Sequence, residues 1–396
     1  MRSNFKPIGN YVQQANARNL GLSVTNLQGV SINKFFMPSV ANINGTDLTK
    51  YKVVTKEQFA YNPMHVGRDE VLPIAMLETD DPVIVSPAYV VFEIIDKQAL
   101  LPEYLMMWCR RPEFDRNAWF TTDSSVRGGF NWNDFCEMKF PVPSPEKQRE
   151  IVKEYHTIVN RIKLNERLNQ KLEETAQAIY KQWFVDFEFP ISAEYAAAIG
   201  KPELEGQPYK FSSGKMIFKE VLKQEIPKGW ELGNLSDIYQ FQYGKGNNNP
   251  DNGGEYPVYG SNGLIGWYDQ FNSEDAPVIG HIGVNCGSIV YAYGKHFVTY
   301  NGVICKNRGR FRKFFGYMTL LNKDLKSQIR GSSQPFISYD MLDGINIIIP
   351  DKQLISQIEK MLNPLYKKII NNKKQIKCLL SVQGVLLPKL SKFATR

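Results

Sequence analysis

The sequence passes twice from an apolar stretch, through a proline, into a long helical pattern. "FPVPSPEKQREIVKEYHTIVNRI" begins at Phe140, and "INIIIPDKQLISQIEKMLNPLYKKI" begins at Ile345. Aligning Pro143 with Pro350 sets an offset of 207 positions, and apolar positions continue to coincide on both sides of the prolines. Similarity at a fixed distance along the chain indicates an internal duplication. Whatever fold the chain adopts must therefore contain this transition twice.

The helical patterns after the two prolines carry their seam residues at steps of four and three, which is the spacing of a coiled coil. The predicted seam of the first helix is Ile151, Tyr155, Ile158, Ile162, Asn165, Asn169, Leu172, Ala176, Ile179 and Trp183. The predicted seam of the second helix is Ile358, Leu362, Leu365, Ile369, Asn372, Ile376, Leu379, Gln383, Leu386 and Leu390. Matched phase favours packing of the helices on each other, although two surface helices on separate domains would show a similar pattern. The first helix should run for roughly forty residues, or about 60 Å.

Capping residues indicate where each helix begins. Ser144, with a proline after it, is a favourable N-cap, and Asp351 is the corresponding cap in the second copy. Pro364 is expected to kink the second helix, which we predict to be the shorter of the two. If the helices pack antiparallel about a pseudo-twofold axis, Asn169 should meet Asn372 in a buried polar layer that fixes their register.

The segments outside these helices indicate two mixed α/β domains. Each has short β-like runs and one helical stretch near its end, "LPEYLMMWCRR" and "FRKFFGYMTLL", and Ile8 in the first corresponds to Leu235 in the second. The predicted fold is α+β, with two mixed α/β domains separated by two long helices packed as an antiparallel coiled coil. The predicted boundaries are 1–143 for the first domain, 144–188 for the first helix, 189–225 for a connecting loop rich in Gly, Pro and Ser, 226–350 for the second domain and 351–396 for the second helix.

The composition narrows the class of function. A formal net charge of +8 weakly favours a polyanionic partner such as nucleic acid. Five scattered cysteines without a CxxC pair are typical of a reducing cytoplasm, where we expect the protein to reside. The sequence has no apolar run long enough to span a membrane. Because it also lacks a P-loop, a methyltransferase motif and paired metal ligands, we expect a protein that is not an enzyme.

Glycine-rich loops in the second domain are the candidates for contact with DNA, because glycine allows close approach of the backbone and neighbouring polar side chains can read bases and phosphates. The candidate residues there are Tyr243, Lys245, Tyr259, Ser261, Asn262, His281 and Lys295. In the first domain the comparable residues are Lys34, Arg68, Arg110, Arg111, Arg116 and Arg127. A β-rich domain with tight turns and solvated surface charges would explain the same residues without a ligand.

At this point the sequence resembles the specificity subunits of type I restriction-modification systems. "QPYKFSSGKM" followed by "IPKGWELGNLSDIYQ" is similar to that family's transition into its second target-recognition domain. "YPVYGSNGLIGWYD" and "GHIGVNCGSIVYAYG" are similar to the body of such a domain, as "VIVSPAYVVFEI" is in the first half. The proline turn into a long helix, present twice, resembles the family's two spacer regions. The resemblance covers nearly the whole chain.

The resemblance implies a protein that reads DNA without catalysing a reaction on it. Residues 1–143 and 226–350 would be target-recognition domains, each reading half of a split sequence in double-stranded DNA. The seam residues would hold the helix pair that separates them and docks two modification (methyltransferase) subunits, which restriction subunits then join. S-adenosylmethionine, ATP and Mg²⁺ would belong to those partners and not to this chain.

Three alternatives remain open at the level of the sequence. The partner could be a single chain that combines methyltransferase and nuclease activities. The protein could be a stand-alone nuclease with an unrecognised active site, which would cleave DNA by itself. It could also be a scaffold that contacts only proteins, in which case it would show no salt-dependent binding to duplex DNA.

Overall fold

The computed structural model describes residues 5–39, 45–64, 70–121, 129–246, 250–309 and 311–393, with side chains as far as residue 387. It divides into two compact units: unit 1 comprises residues 1–164 and 375–396, and unit 2 comprises residues 165–374. Each of the two long helices contributes one half to each unit. Within the described ranges, every helix is too short or too polar to cross a membrane.

Short antiparallel strands and three helices make up most of unit 1. Its described strands are β1 (Phe5–Pro7), β2 (Val12–Gln14), β3 (Gln28–Val30), β4 (Phe36–Pro38), β5 (Lys52–Val54), β6 (Phe59–Tyr61), β7 (Ile74–Met76), β8 (Val83–Val85), β9 (Val90–Ile94) and β10 (Lys139–Pro141). One sheet has the order β2-β9-β6-β7, and the remaining strands pair as β1-β10, β3-β4 and β5-β8. The helices are α1 (Pro102–Cys109), α2 (Pro112–Thr121), α3 (Trp132–Glu137) and the first half of α4 (Pro145–Phe184).

Alternation along β6 divides the interior of unit 1 into two cores. Phe59 and Tyr61 pack into an aromatic cluster with α1 and α3, whereas Ala60 between them packs with valines of β5 and β8. Phe92 of β9 stacks on Phe59 with 4.8 Å between ring centroids and lies 4.9 Å from the ring of Phe135 in α3. The helices therefore cover one face of the small sheet.

Unit 2 contains a larger sheet. Its described strands are β11 (Met216–Lys219), β12 (Gln224–Pro227), β13 (Glu231–Asn234), β14 (Tyr239–Tyr243), β15 (Tyr256–Gly260), β16 (Gly263–Tyr268), β17 (Ser273–Gly280), β18 (Ile289–Val298), β19 (Gly302–Asn307) and β20 (Asn346–Ile349). The main sheet has the order β14-β19-β17-β18-β15-β16, beside the pairs β11-β12 and β13-β20. The helices are α5 (Ala193–Ala198), α6 (Leu235–Ile238), α7 (Lys313–Leu321), α8 (Tyr339–Asp343) and the first half of α9 (Lys352–Phe393), with the end of α4.

The duplication predicted from the sequence is confirmed in the backbone pairing of the two units. The Ile8 amide donates to the Met138 carbonyl at 2.9 Å in unit 1, and the Leu235 amide donates to the Ile345 carbonyl at 2.9 Å in unit 2. Strands β1 and β10 pair antiparallel just beside the first of these bonds, as β13 and β20 do beside the second. Helices α3 and α8 begin 207 positions apart, as do α4 and α9. The same substructure therefore leads into both long helices.

The segment 189–225 was predicted to be a loop, and this prediction is corrected by the structure. It contains α5, β11 and the start of β12, which pairs with β11. Phe189 stacks on Tyr209 with 4.6 Å between centroids and on Trp230 at 5.1 Å. Its Gly, Pro and Ser content suggested a flexible connection, but its aromatic residues pack into the main core of unit 2.

The two long helices begin where their caps predicted. α4 is 40 residues long, as expected, and α9 is 42 residues long, so the expectation that the second helix is shorter was wrong. The Asp351 carboxylate accepts from the Leu354 amide at 2.9 Å at the start of α9. Helix α9 continues through Pro364, flanked by the buried residues Leu362 and Tyr366. Burial of these neighbours stabilises the helix where the proline removes one backbone hydrogen bond.

Candidate nucleic-acid interface

Several loops meet at one end of the six-stranded sheet of unit 2. The Ser261 hydroxyl in the β15–β16 turn donates to the Asn301 carbonyl in the β18–β19 turn at 2.8 Å. The His281 amide, which follows β17, donates to the same carbonyl at 3.0 Å. The Ser288 hydroxyl, just before β18, donates to the Ser261 carbonyl at 2.9 Å. We call the residues 260–263, 281–288 and 299–301 the loop cluster.

His281 belongs to the interior of the loop cluster. It is 6% exposed, and its Nδ1 lies 2.9 Å from the Ile337 carbonyl, to which it donates. Its ring packs against Tyr243 at 4.5 Å and Tyr300 at 5.5 Å between centroids. Burial raises the pKa of Tyr243. His281 was predicted to contact DNA, but in this arrangement it holds the loops in place.

Other predicted residues of unit 2 lie at the surface of the same loops. Lys245 and Asn262 are exposed, and Ser261 is half-buried. The Lys245 ammonium has no ion-pair partner among the residues that the structure describes. These side chains present hydrogen-bond donors, and a positive charge, that a phosphate or a base edge can accept.

One predicted residue of unit 2 lies away from the loop cluster. Lys295 is opposite Glu274 near the start of β17, the other end of that strand from His281, and its ammonium lies 4.6 Å from the centre of the Phe271 ring. Tyr259 adjoins the loop cluster through its backbone, since its carbonyl accepts from the Thr299 amide at 2.9 Å, but its ring is half-buried 5.6 Å from that of His296, and burial raises its pKa. The sequence placed Lys295 with the other candidates because it does not show which end of a strand a residue occupies.

Lys34 of unit 1 has a structural environment that the sequence did not reveal. It is 5% exposed, with its ammonium 2.7 Å from the Asp115 carboxylate and bonded to the Cys109 carbonyl. The same carboxylate oxygen accepts from the Leu72 amide at 3.1 Å. Burial lowers the pKa of Lys34 and raises that of Asp115, and the attraction between the two charges offsets part of each shift. We therefore correct its interpretation from a DNA-contacting lysine to a buried ion pair.

The arginines of unit 1 differ in how far they are exposed to solvent. Arg110 is partly exposed, with its guanidinium 3.5 Å from Glu78. Arg111 is buried, with its guanidinium 4.3 Å from the centre of the Trp108 ring, and Arg116 is exposed. Arg68 and Arg127 lie outside the residues that the structure describes.

A cleft of about 620 Å³ in unit 1 is lined partly by Arg110. Four amide side chains line it, from Asn26, Gln28, Asn33 and, on α9, Gln383, together with Lys163 from α4. Lys163 lies 3.9 Å from the second oxygen of Glu78. Asn26, Gln28 and Asn33 were not among the predicted residues, since isolated Asn and Gln residues carry no recognisable sequence pattern.

The predicted polar layer of the helix pair is confirmed within unit 2. The Asn372 amide of α9 donates to the Asn169 amide oxygen of α4 at 2.9 Å, and the side chains are 2% and 8% exposed. Of the predicted seam residues of this unit, Ile358 and Ile369 are buried and Leu172, Ile179 and Leu365 are half-buried, all in its main core.

The other halves of the two helices lie in unit 1. There the Gln383 amide of α9 donates to the Tyr155 hydroxyl of α4 at 2.9 Å. Ile151, Tyr155 and Ile162 are buried. The half-buried seam residues are Ile158, Ile376, Leu379, Gln383 and Leu386, and the side chain of Leu390 lies outside the described residues. In each unit the start of one helix segment packs against the end of the other, which is antiparallel packing.

Two buried polar residues that the sequence analysis missed attach the long helices to their units. The Gln148 amide oxygen accepts from the Leu101 amide at 2.9 Å, and its nitrogen donates to the Ala99 and Pro143 carbonyls at 3.0 Å each. Gln148 belongs to a Lys-Gln pair that recurs at Gln353, but the two do not correspond at the offset of the duplication, and Gln353 is exposed.

In unit 2 a carboxylate on α9 attaches that helix to the rest of the unit. The Glu359 side chain of α9 accepts from the backbone amides of Phe314 at 3.4 Å and Phe315 at 3.1 Å, which are unsatisfied donors in the first turn of α7. Burial raises the pKa of Glu359, and these hydrogen bonds partly oppose that shift. The two copies of the duplicated substructure therefore differ in the polar side chain that attaches the long helix: Gln148 on α4 and Glu359 on α9.

Among the described residues, no three His, Cys, Asp or Glu side chains are grouped so that they could hold a metal ion. The polar side chains of the loop cluster and of the unit 1 cleft are mainly amides, hydroxyls and basic groups, and the Glu78 carboxylate also lines the cleft. Amides, hydroxyls and basic groups bind a ligand by hydrogen bonding and charge.

Comparison with known proteins shows which proteins this chain is similar to. Residues 227–380 match the family model described as "Type I restriction modification DNA specificity domain". The chain is 24% identical to the type I restriction enzyme MjaIX specificity subunit of Methanocaldococcus jannaschii over 75% of this chain and 70% of the relative. It is 23% identical to the HindI specificity subunit of Haemophilus influenzae over 90% of this chain and 91% of the relative.

A solved structure shares the fold. The S subunit of a type I restriction-modification system from M. genitalium is 16% identical, with a TM-score of 0.55 over 98% of this chain and 96% of that one. Two mixed α/β domains with two long helices are therefore an arrangement that this chain has in common with a solved specificity subunit.

Proposed function

We propose that the chain belongs to the family of type I restriction-modification specificity subunits, to which it is similar, and that it is a non-catalytic recognition component. In that role it reads a bipartite target in double-stranded DNA and joins the modification and restriction subunits of such an enzyme. In this proposal unit 1 and unit 2 each read one half of the target. The helix pair sets the separation of the two half-sites, and the partner subunits supply the chemistry.

The loop cluster of unit 2 is the observation that carries the DNA-reading part of the proposal. It presents Lys245, Ser261 and Asn262 at one end of a sheet, and hydrogen bonds between the loops hold it in shape. Lysine contributes sequence-independent attraction to phosphates, while amides and hydroxyls can distinguish base edges in the major groove. In unit 1 the cleft that Arg110 partly lines offers an analogous set of amides.

The duplication supports the proposal of two like partners. Both long helices follow the same substructure, so each copy offers an equivalent docking surface to an identical subunit. We propose that two modification subunits bind these surfaces and that restriction subunits join that assembly. S-adenosylmethionine, ATP and Mg²⁺ are assigned to those partners, and the cytoplasm to the whole complex.

An exchange of residues 10–130 with those of a related specificity subunit tests the reading of DNA. The sites methylated by cells carrying the system should change in one half and stay the same in the other. If the whole target changed, or neither half did, the assignment of one half-site to each unit would be refuted. Cleavage of DNA by the purified chain with Mg²⁺ alone would instead favour the stand-alone nuclease.

The docking of partners is tested by aspartate substitutions in the helix pair. Ile158 in unit 1 and Leu365 in unit 2 are half-buried, and a charge at both positions should prevent docking or separate the helices. Co-purification with the modification subunit measures this directly. A double variant that assembles normally would contradict the role of the seam, and the identity of neighbouring genes would distinguish a combined methyltransferase-nuclease partner.

A further inference from the structure

The loop between β17 and β18 carries a valine whose side chain has almost no contact with the rest of the protein. Val284 is 99% exposed. Single apolar side chains at a surface are common and by themselves indicate nothing. Its surroundings distinguish it, because Val284 stands at the tip of a fixed loop beside two asparagines that form a pair.

The loop that carries Val284 is held by its backbone. The Cys286 amide donates to the Gly283 carbonyl at 2.9 Å, and the Gly287 amide donates to the Gly280 carbonyl at 2.8 Å. Gly283 and Gly287 have φ angles of 87° and 81°, which glycine adopts without strain. A side chain presented by such a loop loses little conformational freedom when a ligand covers it.

Next to Val284, the Asn285 amide nitrogen donates to the Asn262 amide oxygen at 2.6 Å. The contact leaves the Asn262 nitrogen as a donor and the Asn285 oxygen as an acceptor, and neither has another partner among the described residues. The Ser288 hydroxyl, which donates to the Ser261 carbonyl, fastens the two loops together beside this pair. A donor, an acceptor and a methyl-bearing side chain are therefore presented side by side.

This combination matches one kind of base pair in the major groove. Adenine presents its N6 amine as a donor beside N7 as an acceptor, and thymine adds a C5 methyl group. A G·C pair also presents acceptors, at guanine N7 and O6, and a donor, at the cytosine N4 amine, but it has no methyl group for Val284 to contact, so the methyl group distinguishes the two pairs. We propose that Val284, Asn285 and Asn262 read an A·T pair in the half-site bound by unit 2. This inference rests on the proposed function, since it requires that unit 2 bind DNA.

The first test removes only the thymine methyl group. The assembled modification complex is bound to labelled duplexes in which each thymine of the half-site is replaced in turn by uracil, and dissociation constants are measured by fluorescence anisotropy. Wild-type protein should lose about threefold to tenfold in affinity at one position, the effect of one buried methyl group. Val284→Ala should bind the unmodified site more weakly and be insensitive to uracil at that position.

The second test addresses the asparagine pair. Replacing the partner adenine with 7-deazaadenine removes the N7 acceptor, and wild-type protein should lose about fivefold or more in affinity. Asn262→Ala should not respond to that replacement. Val221→Ala is the matched control, because Val221 is also exposed, at 64%, and lies between β11 and β12. It should behave as the wild type in both series.

The outcomes separate this inference from the proposed function. A complex that binds its site specifically but tolerates uracil at every position would overturn the inference and leave the function standing. A Val284→Ala variant as sensitive to uracil as the wild type would also overturn it. A complex that binds no DNA sequence in preference to another would defeat the proposed function itself.

Discussion

Asn372 donates to Asn169 between α9 and α4, and both side chains are buried. An amide pair at such a position costs stability relative to leucine, but it is satisfied only in one alignment of the two helices. The contact therefore accounts for how two helices of 40 and 42 residues keep a single register.

Replacing Asn169 and Asn372 together with leucine should raise the melting temperature and loosen the register. Replacing Asn372 alone should lower the stability by about 1–3 kcal/mol, because Asn169 would then be buried without its partner. Thermal unfolding followed by circular dichroism measures both effects. A double leucine variant no more stable than the wild type would contradict this account of the layer.

Replacing Lys34 with methionine should destabilise the protein by about 3–5 kcal/mol, because the Asp115 carboxylate would remain buried without its counter-charge. Combining it with Asp115→Asn should recover part of that loss. Urea unfolding of the four proteins gives the coupling between the two residues. If Lys34→Met kept full stability while DNA binding by the complex was lost, Lys34 would be a DNA contact after all.

Glu359 should make the stability of the protein depend on pH. Its pKa is raised by burial above the ordinary value of 4.5, so the folded protein keeps this proton at a pH where the unfolded chain has lost it. The contribution of Glu359 to stability is therefore largest below pH 4.5. It falls as the pH rises through the raised pKa, and it is constant above that pKa. Urea midpoints of wild type and Glu359→Gln should show a shallower fall for the variant. Parallel curves would exclude Glu359 as the source.

Replacing Lys245 with alanine should weaken binding of the assembled complex to all duplexes alike and reduce the slope of log affinity against log salt by about 1. Lys295→Ala is the matched control, since that ammonium lies over Phe271 away from the loop cluster. Anisotropy at several salt concentrations compares the two. Equal affinity of Lys245→Ala and wild type would remove Lys245 from the interface.

Features with a local or periodic cause could be predicted from the sequence. The start of α9 at Lys352 follows from the cap at Asp351, and the contact between Asn169 and Asn372 follows from the heptad spacing and the duplication. Each depends on residues whose positions along one helix fix their positions in space.

Features that depend on distant pairing could not be predicted. Lys34 looks like any surface lysine until the fold brings Asp115 to it across 81 positions of sequence. His281 looked like a contact residue, and only the tertiary structure places the Ile337 carbonyl beside it. The segment around Phe189 was read from its composition, whereas its stacking on Tyr209 and Trp230 decides its structure.

The hydrogen bonds of Gln148 and Glu359 have main-chain partners, and this bears on how the protein can evolve. Among the described residues, the hydrogen bonds of both side chains go to main-chain atoms: Gln148 binds those of Ala99, Leu101 and Pro143, and Glu359 binds amides of α7. Main-chain N–H and C=O groups are the same for every residue type, except that proline has no N–H to donate. A gene that acquired a foreign recognition domain by recombination could thus keep these attachments while every side chain facing its new ligand differed. Such interchangeability would let new specificities arise in one step, without prior adaptation of the helices.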